Sequence, residues 1–169
     1  MGVRRIAFAD ALLLRDVRLR ALATDPLALG STYAVEASRD PSDWEAWARE
    51  HALGADKATF FALRDATAEV VGLAVGKRSQ QPHRFGLFSM WVDGTERRRG
   101  TGRGLVEAVA AWVVASGGTH LSLWVTQPGA RRSYERCGFV DDGHREPLPH
   151  SPDLIEIGMM HELGHGEHE

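Results

Sequence analysis

A chain of 169 residues, 43% hydrophobic and 25% charged, has the size and composition of one globular domain with a sizeable core. Its formal net charge of -3 excludes general nucleic-acid binding, which calls for a clear basic excess. A single cysteine, Cys137, rules out an intramolecular disulfide and a cysteine-built metal site and fits a reducing cytoplasm, while no apolar stretch approaches the roughly 20 residues of a membrane span.

From the N-terminus, residues 3–8 alternate weakly and read as a first strand, without the apolar run of a secretory leader. Residues 11–23 set Leu12, Leu13, Val17, Leu19 and Leu22 near helical spacing with Arg15, Arg18 and Arg20 between them. That pattern predicts a helix with one buried face, ended by Pro26. A turn-rich connector at 29–33 leads into a loop holding Glu36. Residues 40–45 look like a capped helix start, with Ser42 or Asp40 accepting the orphan amides, Glu45 closing a capping box on Ser42 and the helix stopping at Gly54. Residues 57–64 and 69–77 predict a hairpin, and 84–92 the next strand. At 105–115, Leu105, Val109, Trp112 and Val113 share one face while Glu107 points away, as in a helix packed on a sheet. Residues 120–125 are short and apolar and predict a strand buried on both faces. Pro128 opens a helix to Cys137 that a left-handed Gly138 ends. Residues 139–143 and 154–161 form a last antiparallel pair around Pro147, Pro149 and Pro152. This order of elements implies a mixed α/β sheet.

The most informative stretch lies between the strand ending at Val92 and the helix from Leu105. Arg97-Arg98-Arg99-Gly100-Thr101-Gly102-Arg103-Gly104 joins glycines, which let a ligand approach backbone amides, to guanidinium groups that pair with phosphates. Amides at a helix N-terminus add the positive end of its dipole, so a pyrophosphate is the natural occupant. The stretch is not a P-loop, since no lysine with Ser or Thr follows its glycines. Nor is it a dinucleotide fingerprint, since Leu105 stands where the third glycine belongs.

What remains, Arg97-x-x-Gly100-x-Gly102, resembles the acetyl-CoA-binding signature of the GNAT acetyltransferase superfamily. The likeness extends to Met90-Trp91-Val92, Gly117-Gly118, the strand Leu121-Ser122-Leu123-Trp124-Val125 and Ala130-x-x-x-Tyr134-Glu135-Arg136-Cys137-Gly138-Phe139. Leu19-Arg20-Ala21-Leu22 and Pro26-Leu27-Ala28-Leu29-Gly30-Ser31-Thr32 resemble a common bacterial branch of that superfamily. The resemblance implies a mixed, mostly antiparallel sheet of about seven strands with about four helices, splayed at a coenzyme A cleft. It also implies one acetyltransferase domain over residues 1–162 and a polar tail at 163–169.

By the same resemblance, Met90, Trp91 and Val92 offer backbone groups to the pantetheine arm, and the amides of Arg97, Arg98, Arg99, Gly100, Thr101 and Gly102 hold the pyrophosphate. Arg98 or Arg103 reaches a further phosphate, with Gly104 completing the turn. Tyr134 occupies the position of the general acid that protonates the departing CoA thiolate. Gln127 stands where the family usually carries asparagine, on a shorter loop. The implied reaction moves acetyl from acetyl-CoA to a primary amine of a small molecule or peptide, by direct attack in a ternary complex. For the base that deprotonates the amine, Glu36 ranks ahead of His83, Ser89 and Asp93. A catalytically silent CoA-binding regulatory module of the same fold is the alternative.

His161-Glu162-Leu163-Gly164-His165 matches a zinc-protease pattern, but it follows a strand and carries a central glycine, so a polar tail is the better reading and no metal is expected. Trp44 and Trp47, three apart on one helix, line an acceptor pocket, form a homodimer contact, or lie buried under their helix, burial being the commonest outcome.

Overall fold

The computed structural model describes residues 1–126 and 128–164, whose strands form a seven-stranded sheet in the order β1-β2-β3-β4-β5-β7-β6. The strands are β1 (Gly2–Arg5), β2 (Lys57–Leu63), β3 (Val70–Arg78), β4 (Arg84–Val92), β5 (His120–Val125), β6 (Val140–Leu148) and β7 (Ser151–Glu162). The helices are α1 (Ala11–Thr24), α2 (Tyr33–Ala37), α3 (Pro41–Ala52), α4 (Thr101–Ala115) and α5 (Pro128–Arg136). Every neighbouring pair is antiparallel except β4 with β5. This is the mixed, mostly antiparallel sheet the resemblance implied.

Two apolar cores flank the sheet. On one face Leu105, Val109, Trp112 and Val113 of α4 pack with Phe85, Leu87, Leu121, Leu123 and Phe139, and Ala130 and Tyr134 bring α5 onto the same cluster. On the other face Leu14, Val17, Ala21 and Leu22 of α1 and Trp44 and Ala48 of α3 cover Phe61, Leu73 and Trp91. Trp44 is therefore buried under its own helix, with Trp47 stacked at 6.1 Å, and it is no dimer contact.

The second core holds no residue of β5, and this corrects the expectation of a strand buried on both faces. Leu121, Leu123 and Val125 are buried, while Trp124 on the opposite side is 37% exposed. One face of β5 is thus left open beside the helices α1 to α3.

Several boundaries shift for local reasons. β1 ends at Arg5, and residues 8–10 form a 3-10 turn with Phe8 exposed. Asp40 caps α3 with Asp43 as its box partner, because Pro41 takes the first helical position and moves the box upstream of Ser42 and Glu45. Gly100 at φ +82° lets α4 begin at Thr101, four residues before the apolar face starts. β6 and β7 run far past the expected pair, and Pro147 is tolerated because β6 is an edge strand. Leu163, assigned above to the tail, packs into the first core and donates its N–H to the Thr119 carbonyl at 2.8 Å.

His51 gives the fold a titratable weak point. It is buried on the inner side of α3, with Nδ1 2.8 Å from Thr59 Oγ1, and burial first, then the charges of Lys77 and Lys57, lower its pKa to about 4. The unfolded chain takes up this proton near 6.5 and the folded one only near 4, so stability is full above 6.5 and falls across that window. The loss reaches roughly 3 kcal/mol for this residue. Denaturant midpoints measured between these limits should fall with pH in the wild type and fall less steeply in His51→Gln.

Candidate active site

The parallel pair β4–β5 is short. It joins Arg84 to His120, Phe85 to Leu121 and Gly86 to Ser122, and there it stops. Beyond Gly86, β4 continues with β3 as far as Val92, while β5 continues with β7 as far as Val125. A cleft therefore opens between β4 and β5, and the β4 edge facing it has no strand partner among the described residues.

A bulge shapes the β4 wall. Between Leu73 and Val75 of β3, which pair with Trp91 and Phe88, β4 carries one extra residue, and Ser89 takes φ +53°. The bulge resets the alternation. Met90 and Val92 turn to the α4 side, whereas Trp91 enters the second core, where its Nε1 donates to Asp25 Oδ2 at 3.2 Å. At the cleft's vertex the Phe88 ring lies across Gly86, where a Cβ would stand 2.5 Å from the ring. Only glycine leaves room for that aromatic floor.

The arginine–glycine stretch meets this wall. Arg97 folds back: its Nε donates to the Val92 carbonyl at 3.3 Å and its Nη2 to Asp25 Oδ2 at 2.5 Å. Its side chain anchors the turn, and its charge is already spent on a carboxylate. Arg98 (φ +64°) and Gly100 (φ +82°) then reverse the chain into α4. The first helical hydrogen bond runs from Gly104 N–H to the Gly100 carbonyl at 2.9 Å, so the amides of Thr101, Gly102 and Arg103 lead the helix without helical acceptors. Gly102 faces β4, with its missing Cβ 3.4 Å from Met90 Cε and 3.7 Å from Val92 Cγ2. Thr101 Oγ1 is buried with no hydrogen-bond partner among the described residues. An orphaned hydroxyl, three leading amides and the exposed Arg98 and Arg99 make a fit for a polyanion. Arg103 turns instead to Glu107 at 3.4 Å and to the Arg136 carbonyl.

Tyr134 stands on α5, on the same side of the sheet as α4. Its ring meets Phe139 edge-on at 5.7 Å, and its hydroxyl has no protein hydrogen-bond partner among the described residues. Desolvation holds its pKa well above the usual phenol value, so the proton stays on the oxygen. Gly138, at φ +99°, closes the helix as expected, against the His161 ring. Burial likewise pushes the Cys137 thiol up, which argues against an acyl-cysteine. Gln127 and His165 lie outside the described residues. His161 and Glu162 end β7, a strand, where neighbouring side chains point to opposite faces, unlike the helix a zinc protease needs.

Across the sheet, the open face of the cleft borders α1 and α2. Glu36 is fully buried, on α2 rather than in the loop expected. Arg18 of α1, itself buried, donates to Glu36 Oε1 through both Nε and Nη2, and Arg39 Nε lies 2.9 Å from Oε2. Arg18 also donates through Nη1 to Ser89 Oγ at 3.1 Å and stacks on Trp47 at 4.5 Å. The buried ion pair thus reaches the bulge of the cleft wall. His83 lies away from it, at a turn where Nδ1 meets the Gly117 carbonyl at 3.0 Å, and Asp93 is tied to Thr95.

Sequence reasoning missed one carboxylate. Ile157 pairs with Val125, the last residue of β5, so Glu156 is the first residue of β7 past the end of that strand, on the face it shares with Trp124 and Gly158. It stands opposite Glu146 of β6, and burial, then the Glu146 charge, raises its pKa. The only sequence signal was strand alternation in a segment rich in Pro, Asp and Glu.

This fold and cleft are those of an acetyltransferase class, and the family comparison agrees. The model of the acetyltransferase (GNAT) family matches residues 20–139. The chain belongs to the GNAT acetyltransferase family. Among solved structures it is similar to a GNAT-family acetyltransferase of Streptococcus pneumoniae, with 21% identity, TM-score 0.80, and coverage of 96% of this chain and 99% of the other. It is also similar to yncA of Salmonella typhimurium, solved with its cofactor acetyl-CoA (17%, TM-score 0.74, 100% and 96%). A third likeness is to an aminoglycoside 6'-N-acetyltransferase complexed with coenzyme A (17%, TM-score 0.71, 97% and 98%). No curated protein matches the sequence. Among the described residues no helix is long and apolar enough to cross a membrane.

Proposed function

We propose that the protein is an N-acetyltransferase that moves acetyl from acetyl-CoA to a primary amine of a small molecule or peptide, in a ternary complex. The observation that carries this is the convergence, at one cleft, of the unpaired β4 edge, the leading amides of Thr101, Gly102 and Arg103, and the unpartnered Thr101 hydroxyl. The amides and the exposed Arg98 and Arg99 take the pyrophosphate. The backbone of Met90 to Val92 takes the pantetheine arm, pairing with it as a strand would. Solved relatives of this fold with acetyl-CoA or coenzyme A bound support the ligand.

The chemistry follows from two sides of the sheet. The amine nitrogen attacks the thioester carbonyl, the C–S bond breaks, Tyr134 gives its proton to the sulfur, and the proton that the nitrogen sheds as it becomes an amide restores the phenol. The amine must first lose a proton. Glu36 is fully buried with Oε1 held by Arg18, and its Oε2, which has no hydrogen-bond partner among the described residues, lies 2.9 Å from the Arg39 guanidinium; its part is to hold Arg18 against Ser89. Glu156, whose raised pKa makes it a better proton acceptor than an ordinary carboxylate, is the base. The lone cysteine supports a reducing compartment, the cytoplasm.

The test is acetyl transfer from labelled acetyl-CoA across a panel of amines, with calorimetry of acetyl-CoA on wild type and Gly100→Val. A β-branched residue resists φ +82°, so the turn should open and affinity should fall about tenfold or more. Equal binding by both proteins overturns the assignment of the cleft, and binding without transfer to any amine leaves the regulatory module.

A further inference from the structure

The chain has two lysines, Lys57 and Lys77, and the β2–β3 register sets them directly opposite each other. Like charges so placed repel across a sheet. Lys57 is answered by Glu50 at 3.2 Å, but no carboxylate among the described residues pairs with Lys77, which is half-buried. Nearby, Arg18 and Arg39 share the single carboxylate of Glu36. This corner therefore sets four cations against two carboxylates, and His51, buried beside them, stays neutral.

The surplus charge has a definite place. Lys77 pairs in register with Gly86, the last β4 residue that still pairs with β5, and its Nζ lies 5.5 Å from the centre of the Phe88 ring that covers Gly86. The ammonium thus stands over the aromatic floor at the vertex of the cleft, on the face where Trp124 is open and Glu156 stands farther along. Burial lowers its pKa first, and the charges of Lys57 and Arg18 lower it further. A nearby anion would relieve that cost.

We propose that Lys77 receives an anionic group of the acceptor, a carboxylate or a phosphate, so that the molecule acetylated is an amine that also carries an acid. The inference rests on the acetyltransferase reading for its chemistry, yet the anion site stands or falls separately. The amine end lies toward Glu156 and the acid end toward Lys77.

Calorimetry on the protein saturated with coenzyme A tests this with matched probes: β-alanine against propylamine, phosphoethanolamine against ethanolamine, and 1,3-diaminopropane as a dication. At least one acid-bearing amine should bind about tenfold or more tighter than its neutral-tailed match, and the pair showing it tells carboxylate from phosphate. The gap should collapse in Lys77→Met and Lys77→Gln, persist in Lys77→Arg, and survive Lys57→Met. Equal binding within both pairs, tightest binding of the diamine, or a gap that survives loss of the Lys77 charge overturns the proposal. If the gap is present and lost as expected but no amine is acetylated, the anion site is kept and the acetyltransferase reading fails.

Discussion

Replacing Tyr134 by phenylalanine should lower kcat about a hundredfold or more while leaving the KM for acetyl-CoA within about threefold. The split follows from what the hydroxyl touches. The ring packs edge-on against Phe139 and belongs to the core beneath α4, and phenylalanine keeps that contact. The oxygen has no protein hydrogen-bond partner among the described residues, so removing it orphans nothing and the unfolding midpoint should stay within a degree or two. Only a proton is lost. Because burial keeps that proton on the oxygen throughout the working pH range, the group serves as an acid and not as a base. A departing thiolate that accepts the Tyr134 proton leaves as a neutral thiol and does not recapture the acetyl group, which is why a single hydroxyl carries so much of the rate. Steady-state kinetics with a thiol-trapping assay, set beside calorimetry of acetyl-CoA, reads both halves. An unchanged kcat would show that the proton comes from elsewhere, and a large loss of affinity would show that the hydroxyl binds rather than donates.

The parts of the molecule legible in the sequence are those where local chemistry and tertiary environment agree. Leu105, Val109, Trp112 and Val113 repeat at helical spacing and all four are buried, and the glycines around Gly100 mark a backbone that side chains would strain. The bulge at Ser89 left no trace, because Phe85 to Val92 is apolar nearly throughout and has no alternation to interrupt. The open face of β5 was equally hidden: whether a helix covers a strand depends on where α1 to α3 end, which β5 does not encode. That the Arg97 side chain would be claimed by a carboxylate was hidden, because Asp25 lies 72 residues away; its backbone amide is untouched by that pairing. Glu36 sat in a polar-looking connector, and nothing nearby announced that Arg18 would bury with it.

That pair yields the largest expected effect on stability. Glu36→Gln should lower stability by about 3–5 kcal/mol, because it leaves the Arg18 guanidinium buried without its counter-charge. For a chain of this length the unfolding midpoint should drop by roughly 6–20 °C. The double variant Arg18→Met with Glu36→Leu should recover most of this loss, since apolar groups of similar volume replace a pair whose desolvation nearly cancels its attraction. Thermal unfolding of the two singles and the double closes the cycle. The same variants separate two roles for Glu36. If it took the proton from the amine, Glu36→Gln would abolish turnover while the midpoint held, and Glu156→Gln would leave the rate intact. With Glu36 as the anchor of Arg18 and the Ser89 bulge, the midpoint falls, turnover measured well below it is reduced less than in Glu156→Gln, and the double variant regains stability without the carboxylate. A midpoint unmoved by Glu36→Gln would mean that water reaches this corner, and the electrostatic account of the cleft wall would fail with it.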